Sequence, residues 1–102
     1  MDRILQENEN LGIQMAGIDH TRANVKIRER YAFTKKSALR AMEVIQREPG
    51  VEGCVILSTC NRTEIYISTT KESEPLDLCS LLCRIYTVEK DVYLNYFVER
   101  SG

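Results

Sequence analysis

Cys54-Val55-Ile56-Leu57-Ser58-Thr59-Cys60-Asn61-Arg62-Thr63-Glu64-Ile65-Tyr66-Ile67-Ser68 sets the architecture of this chain. The apolar run Cys54 to Leu57 ends in polar residues, and a second run, Glu64 to Ser68, follows it. Short apolar runs bounded by polar residues read as buried strands. The segment therefore predicts strand, bend, strand, with Thr59 to Arg62 as the bend.

Working outward, the stretch before the first run shows helical spacing from 34 to 48. Ala38, Ala41, Met42 and Ile45 fall on one stripe, with Lys35, Lys36, Arg40, Glu43 and Arg47 mostly off it. Thr34 is a suitable N-cap, and Pro49-Gly50 stops the helix. Further upstream, Leu11, Ile13 and Met15 alternate with Gly12, Gln14 and Ala16, which predicts a half-buried strand over 11–18. Between strand and helix lies a polar, basic connection anchored by Val25, Ile27 and Tyr31. Downstream, Lys71 to Glu74 reads as a polar loop, and Pro75 suits the first turn of a second helix. That helix carries Leu78, Leu81, Leu82 and Ile85 on one stripe, with Cys79 and Cys83 flanking it as packing residues. Val92, Leu94, Tyr96 and Val98 alternate, predicting a last strand over 91–98.

The resulting order β-α-β-β-α-β predicts an α+β fold: a ferredoxin-like sandwich with an antiparallel sheet and two helices packed on one face. No internal repeat, low-complexity tract or linker interrupts it, so residues 1–102 read as a single domain. The chain stops at Glu99-Arg100-Ser101-Gly102, directly after the last predicted strand, which leads us to expect a fragment.

The bulk composition narrows the function classes. With 43% hydrophobic and 28% charged residues, the chain has the make-up of an ordinary soluble globule. It has no apolar stretch near the roughly 18–20 residues of a membrane span, and its polar start does not read as a secretory signal. Cys54, Cys60, Cys79 and Cys83 do not make a disulfide framework, and reduced thiols in a cytoplasmic protein are expected. No metal is expected, because no C-x-x-C pair occurs and His20 is the only histidine. A net charge of −1 lacks the footprint of an autonomous DNA or RNA binder. The charge is uneven, however: Arg22, Lys26, Arg28, Arg30, Lys35, Lys36 and Arg40 face the single acid Glu29. Such a run is either a solvated face or an aid in holding a phosphate backbone.

The chemistry concentrates at Cys60. A thiol at the end of a rigid strand, beside a cation and several hydrogen-bonding side chains, is where a nucleophilic thiolate is built. Arg62 lies two residues on. In an extended segment both side chains leave the same face, so Arg62 either favours the thiolate or clamps a substrate carboxylate bidentately. Thr59 and Asn61 converge on the same pocket if the segment bends.

Ser58-Thr59-Cys60-Asn61-Arg62-Thr63-Glu64-Ile65-Tyr66 resembles the signature of glutamyl-tRNA reductase, in its N-terminal catalytic domain. Gly17-Ile18-Asp19-His20, Ile27-Arg28-Glu29-Arg30-Tyr31-Ala32-Phe33 and Gly50 to Leu57 are similar to other segments of that family. The match runs from about Leu11 to Tyr66 and thins afterwards. The resemblance implies that Cys60 is the catalytic nucleophile, attacking the ester of glutamyl-tRNA to form a glutamyl thioester. It implies that Arg62 recognises the glutamate carboxylate, and that Thr59 and Asn61 line the substrate pocket. Glu64 matches a family position of unassigned role, and His20 reads as structural. The resemblance also implies that NADPH reduces the thioester to glutamate-1-semialdehyde, in the first step of tetrapyrrole synthesis. The family's NADPH-binding domain and the domain through which it forms homodimers are not among these 102 residues, and no G-x-G-x-x-G occurs. This chain alone is therefore expected not to complete the reduction.

Two other readings compete. A stand-alone RNA-binding module of this topology needs aromatic residues on its first and third strands, where only Tyr66 is found. A small amino-acid-binding regulatory module would leave Cys60 dispensable.

Overall fold

The computed structural model describes residues 11–70 and 75–101. The predicted loop Lys71 to Glu74 lies outside them. In chain order the elements are β1 (Leu11–Asp19), α1 (Val25–Tyr31), α2 (Lys35–Gln46), β2 (Val51–Ser58), β3 (Arg62–Thr70), α3 (Leu78–Tyr86), α4 (Lys90–Tyr96) and β4 (Val98–Ser101). The strands form one sheet in the order β2-β3-β1-β4, and every neighbouring pair is antiparallel. This is the expected α+β arrangement of ferredoxin-like type. Each crossover, however, carries two helices rather than one.

Local chemistry accounts for most boundaries. Thr34 caps α2 by accepting from the Ser37 N–H, while the Ser37 hydroxyl accepts from the Thr34 N–H, so two otherwise orphaned donors are satisfied reciprocally. Asp77 caps α3 by accepting from the Ser80 N–H, so Pro75 precedes that helix instead of sitting in its first turn. Thr87 ends α3 in the left-handed region, at φ 57°, with its N–H donating to the Cys83 carbonyl.

The core lies between one sheet face and the helices. Ala16 and Ile18 of β1, with Ile65 and Ile67 of β3, meet Ile45 of α2 and Leu78, Leu81 and Leu82 of α3. Register places the inward residues side by side: Ala16 is opposite Ile65, and Ile65 is opposite Ile56. The other sheet face carries exposed Ile13, Val55 and Leu57. Alternation in β1 was therefore a sound sign of a strand, but the even-numbered side is buried, not the side of Ile13 and Met15. Both sides of this central strand carry apolar residues, and only the position of the helices distinguishes them.

Two expectations need correction. The connection after β1 contains α1, capped by the Asn24 side chain, which accepts from the Ile27 N–H at 3.0 Å. Tyr31 and Ile27 do anchor it, whereas Val25 is 54% exposed. The predicted strand 91–98 is mostly the helix α4. Val92, Tyr93, Tyr96 and Phe97 recur at helical spacing, and that period prevails because it buries Tyr93 and Phe97 together. Their rings stack at 4.8 Å, while Leu94, assigned to the buried face by alternation, is exposed. The true last strand is the four-residue β4, paired with β1.

Candidate active site

β2 and β3 form a hairpin joined by Thr59, Cys60 and Asn61, so the thiol stands at its tip. The tip is a turn built around Thr59. The Thr59 N–H donates to the Arg62 carbonyl at 2.8 Å. The Thr59 hydroxyl oxygen accepts from the N–H groups of Asn61 and Arg62 at 3.2 and 3.3 Å. A threonine side chain used in this way closes a turn locally. Thr59 is therefore a builder of the tip, and its hydroxyl is largely committed to backbone.

Below the tip the hairpin is strapped to the helical layer. The Ser58 hydroxyl lies 2.9 Å from the Thr63 hydroxyl and also accepts from the Phe33 N–H at 2.9 Å. Arg28 of α1 makes a second strap. Its Nε donates to the Cys60 carbonyl at 3.3 Å and its Nη1 to the Ala23 carbonyl at 2.7 Å. One planar guanidinium thus ties the thiol-bearing residue to the start of α1. Sequence reasoning placed Arg28 in a family segment and gave it no role. A cation in the last turn of an unrecognised helix, 32 positions from Cys60, carries no local signal of such a contact.

Cys60 is exposed, whereas Cys54, Cys79 and Cys83 are half-buried. Burial pushes the Cys54 thiol up to about 11, and burial also raises Cys83, with its neighbour Cys79 adding to the effect. Those thiols are inert packing groups in character. The accessible sulfur is the one at the tip.

Arg62 opens β3 opposite Asp19 of β1, on the sheet face that the helices leave open. Cys60 and Asn61 form a bend rather than extended backbone, so strand alternation does not set the relative directions of Cys60 and Arg62. Among the described residues Arg62 takes no ion-pair or side-chain hydrogen-bond partner, so its guanidinium is available to a carboxylate. The same holds for the Asn61 amide. Asp19 is held below the usual carboxylate range, first by the Thr21 hydroxyl and amide, with smaller help from His20 and Arg62. His20 is exposed in the turn after β1. Glu64 faces Gly17 across the β1–β3 pair and lines a small polar cavity with Asp19, Arg22 and Arg100.

A family model described as glutamyl-tRNAGlu reductase, N-terminal domain, matches residues 16–102. The chain belongs to the glutamyl-tRNA reductase N-terminal domain family. Glutamyl-tRNA reductases from Ruthia magnifica subsp. Calyptogena magnifica and Acetivibrio thermocellus are each 37% identical to it, over 83% and 90% of this chain. The glutamyl-tRNA reductase from Moorella thermoacetica is 41% identical over 78% of it. These alignments cover only 21%, 28% and 19% of the relatives, so the chain spans about a fifth to a quarter of their length. The matched span includes α3, α4 and β4.

The described residues do not suit a dinucleotide. Glutamyl-tRNA reductase relatives carry reduction in their name, yet the turn after β1, Asp19 to Asn24, contains no glycine to admit a pyrophosphate. The sheet is antiparallel throughout and lacks the strand-order switch at which such cofactors sit. Among the described residues no group of three His, Cys, Asp or Glu side chains gathers as a metal site, and no helix is long and apolar enough to cross a membrane.

Proposed function

We propose that this chain is the acyl-accepting part of a glutamyl-tRNA reductase and that Cys60 is its nucleophile. The Cys60 thiolate attacks the carbonyl carbon of the ester joining glutamate to the tRNA 3′ end. A C–S bond forms, the C–O bond breaks through a tetrahedral intermediate, and the proton given up by the thiol ends on the departing 3′ oxygen. Arg62 holds the glutamate side-chain carboxylate, and Asn61 with Thr59 borders the same pocket. The observation that carries this reading is the single exposed cysteine on a backbone-pinned hairpin tip, two residues from an arginine without an ion-pair partner among the described residues, in a chain of this family.

In this reading the thioester is the end point for these residues. Reduction with NADPH to glutamate-1-semialdehyde, the entry to tetrapyrrole synthesis, belongs to a longer homodimeric protein acting in the cytoplasm. No step of it is assigned to this chain, whose described residues offer no dinucleotide cradle.

The test is to incubate the chain with glutamyl-tRNA and follow its intact mass. A glutamyl adduct on Cys60 that hydroxylamine removes is expected, absent in Cys60→Ser. Alkylation near pH 7 is expected to label Cys60 long before Cys54, whose thiol is still protonated there. An adduct that persists in Cys60→Ser overturns the assignment. Vigorous NADPH-dependent semialdehyde production by the 102-residue chain overturns the restriction to acyl transfer.

A further inference from the structure

Three arginines from three different helices meet away from the hairpin tip. Arg30 of α1, Arg40 of α2 and Arg84 of α3 border one open cavity of about 490 Å³, floored by Phe33, Val44 and Tyr86. Arg84 is paired with Glu48 at 2.7 Å. Arg30 and Arg40 have no ion-pair or side-chain hydrogen-bond partner among the described residues. No acidic side chain lines the cavity.

A run of cations along one helix is usually just a solvated face. Here the convergence is tertiary: the residues are 10 and 44 positions apart in sequence and share one concavity. Glu48 balances Arg84, but Arg30 and Arg40 add two positive charges to the same concavity, so an anion bound there is attracted. Planar guanidinium groups match phosphate oxygens bidentately, and the half-buried faces of Phe33 and Tyr86 offer a platform for a ribose or an unstacked base.

The cavity is also coupled to the reactive tip. Phe33, part of its floor, donates its N–H to the Ser58 hydroxyl, two residues before Cys60. α1, which supplies Arg30, reaches the Cys60 carbonyl through Arg28. A polyanion lying on this groove is thus held by the same short segment that holds the thiol.

We propose that the groove of Arg30, Arg40 and Arg84 is a docking site for the phosphate backbone of the RNA that delivers the acyl group. The inference rests on the reading of Cys60 as acceptor from a charged tRNA. It adds a contact surface distinct from the acyl pocket, and it uses the basic segment from Arg22 to Arg40 that the reaction at Cys60 leaves unexplained.

The experiment measures binding of uncharged tRNA to the chain by fluorescence anisotropy across a salt series. Each phosphate contact contributes about 0.7 to the slope of log affinity against log salt for single-stranded RNA. Arg30→Gln combined with Arg40→Gln is therefore expected to flatten the slope by about 1.4. The same loss weakens binding on the order of 25-fold at ~0.1 M salt. Because both side chains lack partners among the described residues, the thermal midpoint is expected to stay unchanged. Arg100→Gln, on the open face of the sheet, is expected to change affinity less than about twofold.

Equal weakening by Arg100→Gln would mean diffuse attraction and overturn the proposal, as would unchanged binding in the double variant or no tRNA binding by the wild-type chain. Displacement by poly-glutamate as effective as by oligoadenylate would overturn it in favour of an acidic protein partner. Uncharged tRNA does not engage the thiol chemistry. Failure here with intact Cys60 acylation removes the groove alone, and the converse result removes the nucleophile alone.

Discussion

The fold contains two seven-residue helices, α1 and α4, one in each crossover, and they do opposite work. α4 faces inward: Tyr93 is fully buried, stacks on Phe97 and donates its hydroxyl to Glu99 of β4 at 2.8 Å. Burial, with that contact to Glu99, pushes the Tyr93 phenol far above its ordinary value. α1 likewise buries one tyrosine, Tyr31, but carries exposed cations and commits Arg28 to two backbone carbonyls, one of them that of Cys60. One short helix closes the core, and the other braces the thiol-bearing tip. Helices this short have little stability of their own, so what each touches decides what it is for.

The contrast can be broken in order of expected effect. Tyr93→Ala is expected to cost about 3–5 kcal/mol of stability, read as a lower urea midpoint, because it empties a filled core site. Arg28→Gln is expected to cost only roughly 1 kcal/mol in the same assay, while slowing Cys60 acylation by glutamyl-tRNA about tenfold through loss of tip alignment. Arg28→Lys is expected to rescue little, since an ammonium lacks the fork that reaches both carbonyls. If Arg28→Gln proves as destabilising as Tyr93→Ala with an unaltered acylation rate, α1 is a core helix and the distinction falls. Thr87→Gly, at the left-handed residue leading into α4, is expected to raise the thermal midpoint, gaining about 1 kcal/mol by relieving a β-branched residue at positive φ. The smallest effect is expected for Tyr31→Phe. The Tyr31 hydroxyl is buried without a hydrogen-bond partner among the described residues, so its removal should stabilise by up to ~1 kcal/mol in thermal melts.

The hairpin and the two long helices were legible because each is specified by its own residues. Thr34 and Pro49-Gly50 bracket α2, and the leucine stripe of α3 has a single period. The bend at Thr59 to Arg62 was legible for the same reason. The short helices were not. α1 has few apolar residues and declares itself only through the Asn24 cap. α4 supports two periods at once, and the choice between them depends on Tyr31, whose ring meets Tyr96 and Phe97 only after folding. At the candidate site, Thr59, Cys60, Asn61 and Arg62 were singled out from one stretch of chain, and the structure puts them together at the hairpin tip. The dependence of the tip on Arg28 and Phe33 could not, because both contacts span 25 or more positions.

The pairing of β2 with β3 slips by one residue between Val51 and Gly53, leaving Glu52 as an extra residue in the ladder. That bulge lets Val51 and Cys54, an odd and an even position, both face the helices. It also works as a length buffer. Deleting Glu52 would join Val51 opposite Thr69 to Gly53 opposite Ser68 in one regular ladder, leaving every pair from there to Ser58 unshifted. A residue added or lost among Thr59, Cys60 and Asn61 has no such slack, because both flanking strands are already in register at Ser58 and Thr63. Change in chain length is thus absorbable at the helix end of this hairpin and intolerable at the end that carries the thiol.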